Sequence, residues 1–460
     1  MLTSLQIKNF KAWKDTGKVS LKPLTVIFGA NSAGKSSLGH LLLALKQTAI
    51  STERKRAIHL GDVNSLVELG TFADCLHGHD ITQKLEFELG WKPSERLEIK
   101  YPYLEKVFAG DRMNLAVELS AGKTGQPEAT RIDYNLFDGD TQVLDARFTK
   151  SDSGSLTLKS TRARLLRNQG RKWPLENAEK FYRMSETSLA RFQNADFLAD
   201  FAISVETMLR GVAYLGPLRE YPKRIYQWSG NTPEDVGMKG EDTIAAILAA
   251  DAEGRKLNRV KGAHLKGFSE FIAEHLVSLG VIHSFRVQPV AAGRKEYEVL
   301  VKTHPKATEV KITDVGIGVS QVLPALVLPF YCAPNSTVWM EQPEIHLHPQ
   351  VQAELADVFI TAIQATENKK PRNVQLIIES HSEHFLNRLQ RRVAEGVVDP
   401  DDVAVHFCTK GEDATEMKPL ELNLYGDIVN WPENFFGDEM ADLTARTVAA
   451  MEQRKKQSSK

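Results

Sequence analysis

An α/β fold with a mixed sheet wrapped around one central helix is expected from three features of this 460-residue chain. A short apolar run, Leu24 to Phe28, ends in a glycine-rich loop and is followed by an amphipathic helical pattern. The last third alternates strand-like and helix-like segments, which is the pattern of an α/β core. Between the two, residues 83–158 alternate apolar and polar in short runs broken by Gly, Pro, Asp and Asn, as in an antiparallel meander.

Taken in order, Leu2 to Phe10 reads as a strand of alternating character. Leu24 to Phe28 is nearly continuous in apolar residues, as in a strand buried inside a parallel or mixed sheet. From Lys35 the pattern becomes helical, with Leu38, Leu41, Leu42 and Leu45 on one face. After the meander, helical character is expected over about 174–210 and 241–280, then a hairpin from Tyr297–Lys302 and Glu309–Thr313. Strands at Thr337–Met340, Val374–Ile378 and Val403–Cys408 alternate with helices at Pro349–Thr366 and Ser382–Glu395. The N- and C-terminal portions are expected to share one sheet. This divides the chain into 1–82, an inserted β and helical region over 83–210, a second core portion over 211–440, and a polar tail over 441–460. Arg454 to Lys460 is basic and polar and reads as disordered.

Composition bounds the function. With 42% hydrophobic and 25% charged residues and a formal net charge of −1, the chain is not a polycation built for nucleic acid, so any such surface must be a local patch. Cys75, Cys332 and Cys408 are odd in number and lack metal-type spacing, which fits idle thiols in a reducing compartment. Met1 to Trp13 contains no apolar h-region. The most apolar stretch, Val322 to Phe330, is interrupted by Pro324 and Pro329 and is too short for a bilayer. A cytoplasmic protein without a membrane partner is expected.

The sharpest motif is Gly29-Ala30-Asn31-Ser32-Ala33-Gly34-Lys35-Ser36, followed by Ser37. Its G-x-x-x-x-G-K-S spacing lets a tight backbone aim successive N–H groups at phosphate oxygens, with a helix N-terminus behind them. Lys35 should reach the β- and γ-phosphates, and the Ser36 hydroxyl should ligate magnesium. Such a loop needs an acid at the end of a neighbouring buried strand, and Glu341-Gln342-Pro343-Glu344 supplies one after Met340. Ile377 to Ser382 is a second buried strand, ending in a histidine, His381, placed to contact a γ-phosphate. Asp314 to Gln321, with Gly318 and Ser320, leads into an apolar helix and offers a second anion site. One γ-phosphate and two anion sites point to a nucleotide shared with a second subunit.

These four motifs, in this order, resemble the ABC-type ATPase heads of the SMC, RecF and OLD-like group, over roughly residues 1–80 and 210–440. The nearest form is the bacterial AAA-type ATPases reading E-Q-P-E-x-H-L-H-P, here Glu341 to Pro349. The resemblance implies a P-loop NTPase of ABC-head type, with ATP and Mg2+ as cofactors. It makes Gly29 to Ser36 the Walker A loop, Glu341 the Walker B acid and magnesium partner, Asp314 to Gln321 the signature and His381 the switch histidine. His346 to Pro349 takes the place of the D-loop. It also implies a head-to-tail dimer or higher oligomer, and a partner effector such as a nuclease or toxin in anti-phage defence. Two departures stand out. Glu341-Gln342 replaces the usual Asp-Glu pair, and glutamine positions water but cannot take its proton. Glu344 is then the nearest substitute, and hydrolysis should be slow or partner-gated. Leu69 to His77, where the Q-loop is expected, holds no glutamine. Other readings are a RecF-like DNA repair ATPase and an ATP-gated clamp with little turnover.

Weaker signals remain. Lys159, Arg162, Arg164, Arg167, Arg171, Lys172, Lys180 and Arg183, with Trp173 and Tyr182 interleaved, could meet nucleic acid, although a solvated helix face or a protein-docking surface is the plainer reading. His77, His79 and Asp80, or His346 and His348, are too few for a metal site. Tyr214 to Arg219 and Trp431-Pro432-Glu433 also resemble this subgroup, with no role assigned.

Overall fold

The computed structural model describes residues 1–101, 106–260, 262–432 and 444–451. Its central sheet has six strands: β1 (Leu24–Gly29), β2 (Val212–Leu215), β3 (Thr337–Glu341), β4 (Gln375–Glu379), β5 (Val403–Lys410) and β6 (Thr415–Leu420). Their spatial order is β2-β3-β4-β1-β5-β6. All neighbours are parallel except the edge pair β5–β6. Strands β1 to β4 are buried at every position, which explains their continuous apolar sequences.

The helix α1 (Lys35–Ile50) leaves the end of β1 and is buried along nearly its whole length. On one side it meets alternate residues of the central sheet, including Ile27, Trp339 and Ile377. On the other it meets α2 (Phe197–Arg210) and the inner face of an antiparallel sheet through Phe87, Leu115 and Val117. The opposite face of the central sheet, with Val26, Val338 and Ile378, is covered by α3 (Thr243–Ala252), α4 (Phe268–Ser278), α5 (Ile317–Tyr331), α6 (Pro349–Gln364) and α7 (Glu383–Ala394). The two-residue period of a strand divides its side chains between these two cores. The expected mixed sheet around the P-loop helix, with added antiparallel and helical parts, is therefore the one observed.

Two expectations change. Leu2–Phe10 does not join the central sheet. It pairs antiparallel with Leu85–Trp91 and extends the meander, so this sheet crosses the expected boundary between 82 and 83. Only Leu24–Gly29 carries the N-terminal portion into the central sheet. The stretch expected to be helical from 174 is irregular up to Ser185, with helices at Glu186–Leu189 and Phe197–Arg210. Pro174 removes a backbone donor, and the segment is held instead by side-chain contacts. Lys180 is buried, and its ammonium donates to Thr48 O at 2.8 Å, Ala49 O at 3.4 Å and Ser51 O at 3.0 Å. These carbonyls close the C-terminal end of α1, where helical partners run out. Tyr182 is buried too, its hydroxyl donating to Glu206 at 2.7 Å. Two members of the basic and aromatic cluster are thus structural, while Trp173 is exposed under the Arg171 guanidinium. In the tail, residues 444–451 are helical; Arg454 to Lys460 lie outside the described residues. No helix of the described residues is long and apolar enough to cross a membrane.

Lys180→Met should lower unfolding stability by about 2 kcal/mol in urea titrations, since it strips a charged donor from buried carbonyls. Arg171→Ala, at the exposed part of the same segment, should change it by less than about 0.5 kcal/mol.

Candidate nucleotide-phosphate site

The loop after β1 is shaped by its glycines. Gly29 has φ 149°, and a Cβ there would stand 2.4 Å from Cys408 O on β5, so only glycine fits between the strands. Ser32 and Gly34 also have positive φ, at 58° and 77°. Alternation of left- and right-handed residues turns successive N–H groups into one concavity. Gly34 caps α1 without a side-chain bond, which leaves the first-turn amides for a ligand. The loop residues Asn31 to Ser37, with Lys11, Ala12, His40, Gln342 and His381, line an open cavity of about 360 Å³.

Lys35 folds over the loop. Its ammonium donates to Gly29 O at 2.8 Å and Ala30 O at 3.0 Å and stands 3.2 Å from His381 Nε2. Burial lowers the Lys35 pKa. His381 is pushed down to about 4, first by burial and then by Lys35, so at neutral pH it is an uncharged imidazole able to accept from the ammonium. Phosphate oxygens entering the loop would replace these internal partners of Lys35.

Ser36, one residue on, meets two acids. Its hydroxyl lies 2.9 Å from Glu341 Oε2 and 2.8 Å from Glu379 Oε2. The acids end adjacent parallel strands and are paired in register, Glu341 with Glu379, so both project from the same face. The second oxygen of each is held: Tyr214 donates to Glu341 Oε1 at 2.6 Å, and the Trp339 indole to Glu379 Oε1 at 2.8 Å. Burial, and then Glu341, push the Glu379 carboxyl up to about 8. His40, one turn along α1, places Nε2 3.7 Å from Glu341 Oε1.

The turn after β3 separates the two substitute candidates. Gln342 has φ 44°, is pinned by its N–H to Glu379 O at 2.8 Å, and lines the phosphate cavity. Glu344 does not line it. Its Oε1 accepts from the Ser380 hydroxyl at 2.7 Å and from the His381 N–H at 2.8 Å, while Oε2 is buried without a partner. Burial raises the Glu344 pKa. Glu344 therefore braces the His381 turn from behind.

Ser320 behaves differently from the expectation of an anion ligand. It lies one turn into α5, and its buried hydroxyl donates to Ile317 O at 2.8 Å. The helix starts at Gly316 with no side-chain cap, so its first-turn amides, Gly318 among them, are left without helical partners. Ser320 borders a small cleft with Tyr221 and Leu323 that shares no residue with the phosphate cavity. Among the weaker signals, His348 caps α6, and His77 and His79 bond the carbonyls of Lys11 and Ala73. Among the described residues no group of three or more His, Cys, Asp or Glu side chains could hold a metal by itself.

Sequence reasoning assigned no role to Glu379, Trp339, Tyr214, His40 or Arg219. Glu379 was legible as an acid closing a largely apolar strand. The Tyr214 to Arg219 segment turns out to brace the site. The Arg219 guanidinium is buried, its pKa lowered to about 10 by burial, and donates to Gln321 O, Gln342 O at 3.2 Å and Pro343 O at 3.3 Å. It ties α5 to the turn after β3. Of Trp431-Pro432-Glu433, Glu433 lies outside the described residues, and Trp431 is partly exposed.

A G-x-x-x-x-G-K-S loop between a buried parallel strand and a buried helix, with acids at neighbouring strand ends, defines a P-loop nucleotide-binding fold. The chain belongs to the AAA ATPase domain family, whose model matches residues 1–194 and 251–386. A second family, described only as a protein of unknown function, matches residues 398–445. No curated protein matches the chain significantly. Among solved structures, the chain is similar to an SMC head bound to the C-terminal winged-helix domain of ScpA, with 11% identity, 92% of this chain and 98% of that one covered, and a TM-score of 0.41. An SMC head domain from Thermotoga maritima has 13% identity, 91% and 99% coverage and a TM-score of 0.39. An SMC head from Pyrococcus furiosus with an extended coiled coil, bound to the C-terminal domain of ScpA, has 11% identity, 92% and 96% coverage and a TM-score of 0.39.

Proposed function

We propose that this protein binds ATP with magnesium in the Gly29–Ser37 loop and hydrolyses it slowly. The observation that carries the reading is that the Walker-type lysine, His381 and Ser36 line one open cavity, while two strand-end acids reach the Ser36 hydroxyl from behind it. Lys35 and the loop amides bind and orient the triphosphate. His381, neutral and already at hydrogen-bond distance from Lys35, meets the γ-phosphate. Magnesium, held by Ser36 and Glu341, would neutralise developing phosphate charge; the all-oxygen donor set suits it.

Slow turnover follows from what faces the cavity. Gln342 orients an attacking water without accepting its proton. The acid that could substitute, Glu344, is committed to Ser380 and the His381 backbone. This favours an ATP-gated clamp as the second reading, with nucleotide held longer than it is turned over. The uncapped start of α5, exposed at Ile317, supports a composite site in which the signature segment of a second subunit closes over the nucleotide.

Phosphate release should be slow in the parent protein and absent in Lys35→Ala, which also loses tight ATP binding. Gln342→Glu supplies the missing base and should raise turnover about tenfold or more; a rate that stays flat or falls would remove Gln342 from the chemistry. Ser320→Arg should leave ATP binding by the monomer intact and abolish ATP-dependent dimers in light scattering. Normal dimers would contradict the composite site.

A further inference from the structure

Two carboxyl groups converge on one hydroxyl at the start of α1. Ser36 carries a single O–H, yet Glu379 Oε2 stands 2.8 Å and Glu341 Oε2 2.9 Å from its oxygen. The arrangement is held from outside. The Trp339 indole fixes the far oxygen of Glu379, and the Tyr214 hydroxyl fixes the far oxygen of Glu341. Each donor leaves the near oxygen free and aims it at Ser36. Outer hydrogen-bond donors of this kind orient the side chains that bind metals. Lys35 does not neutralise the pair by direct bonding, since its ammonium is turned to Gly29, Ala30 and His381.

A purely structural role accounts poorly for Glu379. At 1% exposure an ionised carboxylate there carries a large desolvation penalty unless a countercharge is beside it. A neutral amide would serve Trp339 and Ser36 equally well without it. The acid makes physical sense when a countercharge arrives between the strand ends.

We infer that Glu379 is a second carboxylate for the divalent cation, forming with Ser36 and Glu341 a cradle of three oxygen donors. The inference rests on the proposed reading of the cavity as a magnesium–nucleotide site. The donors are hard oxygens, as magnesium requires. The His40 imidazole stands 3.7 Å from Glu341 Oε1, and among the described residues no group of three or more acidic, histidine or cysteine side chains could hold a metal by itself, so phosphate oxygens and water would complete the shell, which is how this ion is usually held beside nucleotides.

The test uses Mn2+ as the probe, titrated into the full-length protein by electron paramagnetic resonance with a non-hydrolysable ATP analogue present. Glu379→Gln should weaken Mn2+ binding about tenfold or more, while affinity for the analogue in EDTA stays within about twofold of the parent. Trp339→Phe keeps both acids but frees the far oxygen of Glu379, and should give a smaller loss in the same direction. This variant also decides the matter if Glu379→Gln does not fold. Unchanged Mn2+ affinity in the folded variants, with normal binding by the parent, would overturn the role of Glu379 and leave the nucleotide reading standing. Failure of the parent itself to bind Mn2+ with the analogue would overturn both.

Discussion

Two buried acids at the ends of neighbouring parallel strands, both turned onto the Ser36 hydroxyl, set the demands that the rest of the structure meets. Parallel register places Glu341 beside Glu379 on the same face. Keeping them there needs donors that satisfy one oxygen of each without neutralising the other, and Tyr214 and Trp339 provide them from β2 and β3. The indole must then reach into the space under α1. Gly39 makes this room, since a Cβ at that position would lie 2.6 Å from the Trp339 Nε1. A glycine inside a helix is usually unfavourable by roughly 1 kcal/mol, and here the close approach accounts for it.

The same logic explains why α1 is buried between two sheets. A phosphate loop is useful only if it stays in place when charged ligands enter and leave. Its helix is locked by apolar packing on both sides, by Lys46 donating to Val212 O at 2.6 Å, and by Lys180 at its far end. Arg219 extends the frame to α5 by sharing its guanidinium between Gln321 and the Gln342–Pro343 turn. The N-terminal part of α5 and the turn after β3 are thus joined within one chain by a single buried cation.

Much of this was legible in the sequence. The buried strand, the glycine loop and the helix were readable from residues 24–45 because local pattern and spacing alone dictate them. Glu341 and His381 could be singled out because one ends an apolar strand and the other stands two residues beyond one. The misses have physical causes. Strand pairing partners are non-local, so nothing near Leu2–Phe10 reveals that it prefers Leu85–Trp91 to Leu24–Gly29. The basic segment looked like a surface because side-chain burial at Lys180 depends on carbonyls 129–132 residues away in sequence. Glu344 looked like the nearest replacement base because sequence distance cannot tell which way a turn faces, and here the left-handed Gln342 rotates the amide toward the cavity and the acid away from it.

The most direct measurement is a crystal structure of the protein with Mn2+ and a non-hydrolysable ATP analogue, reading the anomalous signal of the metal. The account predicts one peak within coordination distance of Ser36 Oγ, about 2.2 Å, between the Glu341 and Glu379 carboxylates, with the γ-phosphate on Lys35 and His381. A nucleotide bound elsewhere, or a metal that leaves Ser36 and both acids bonded as they are now, would contradict it.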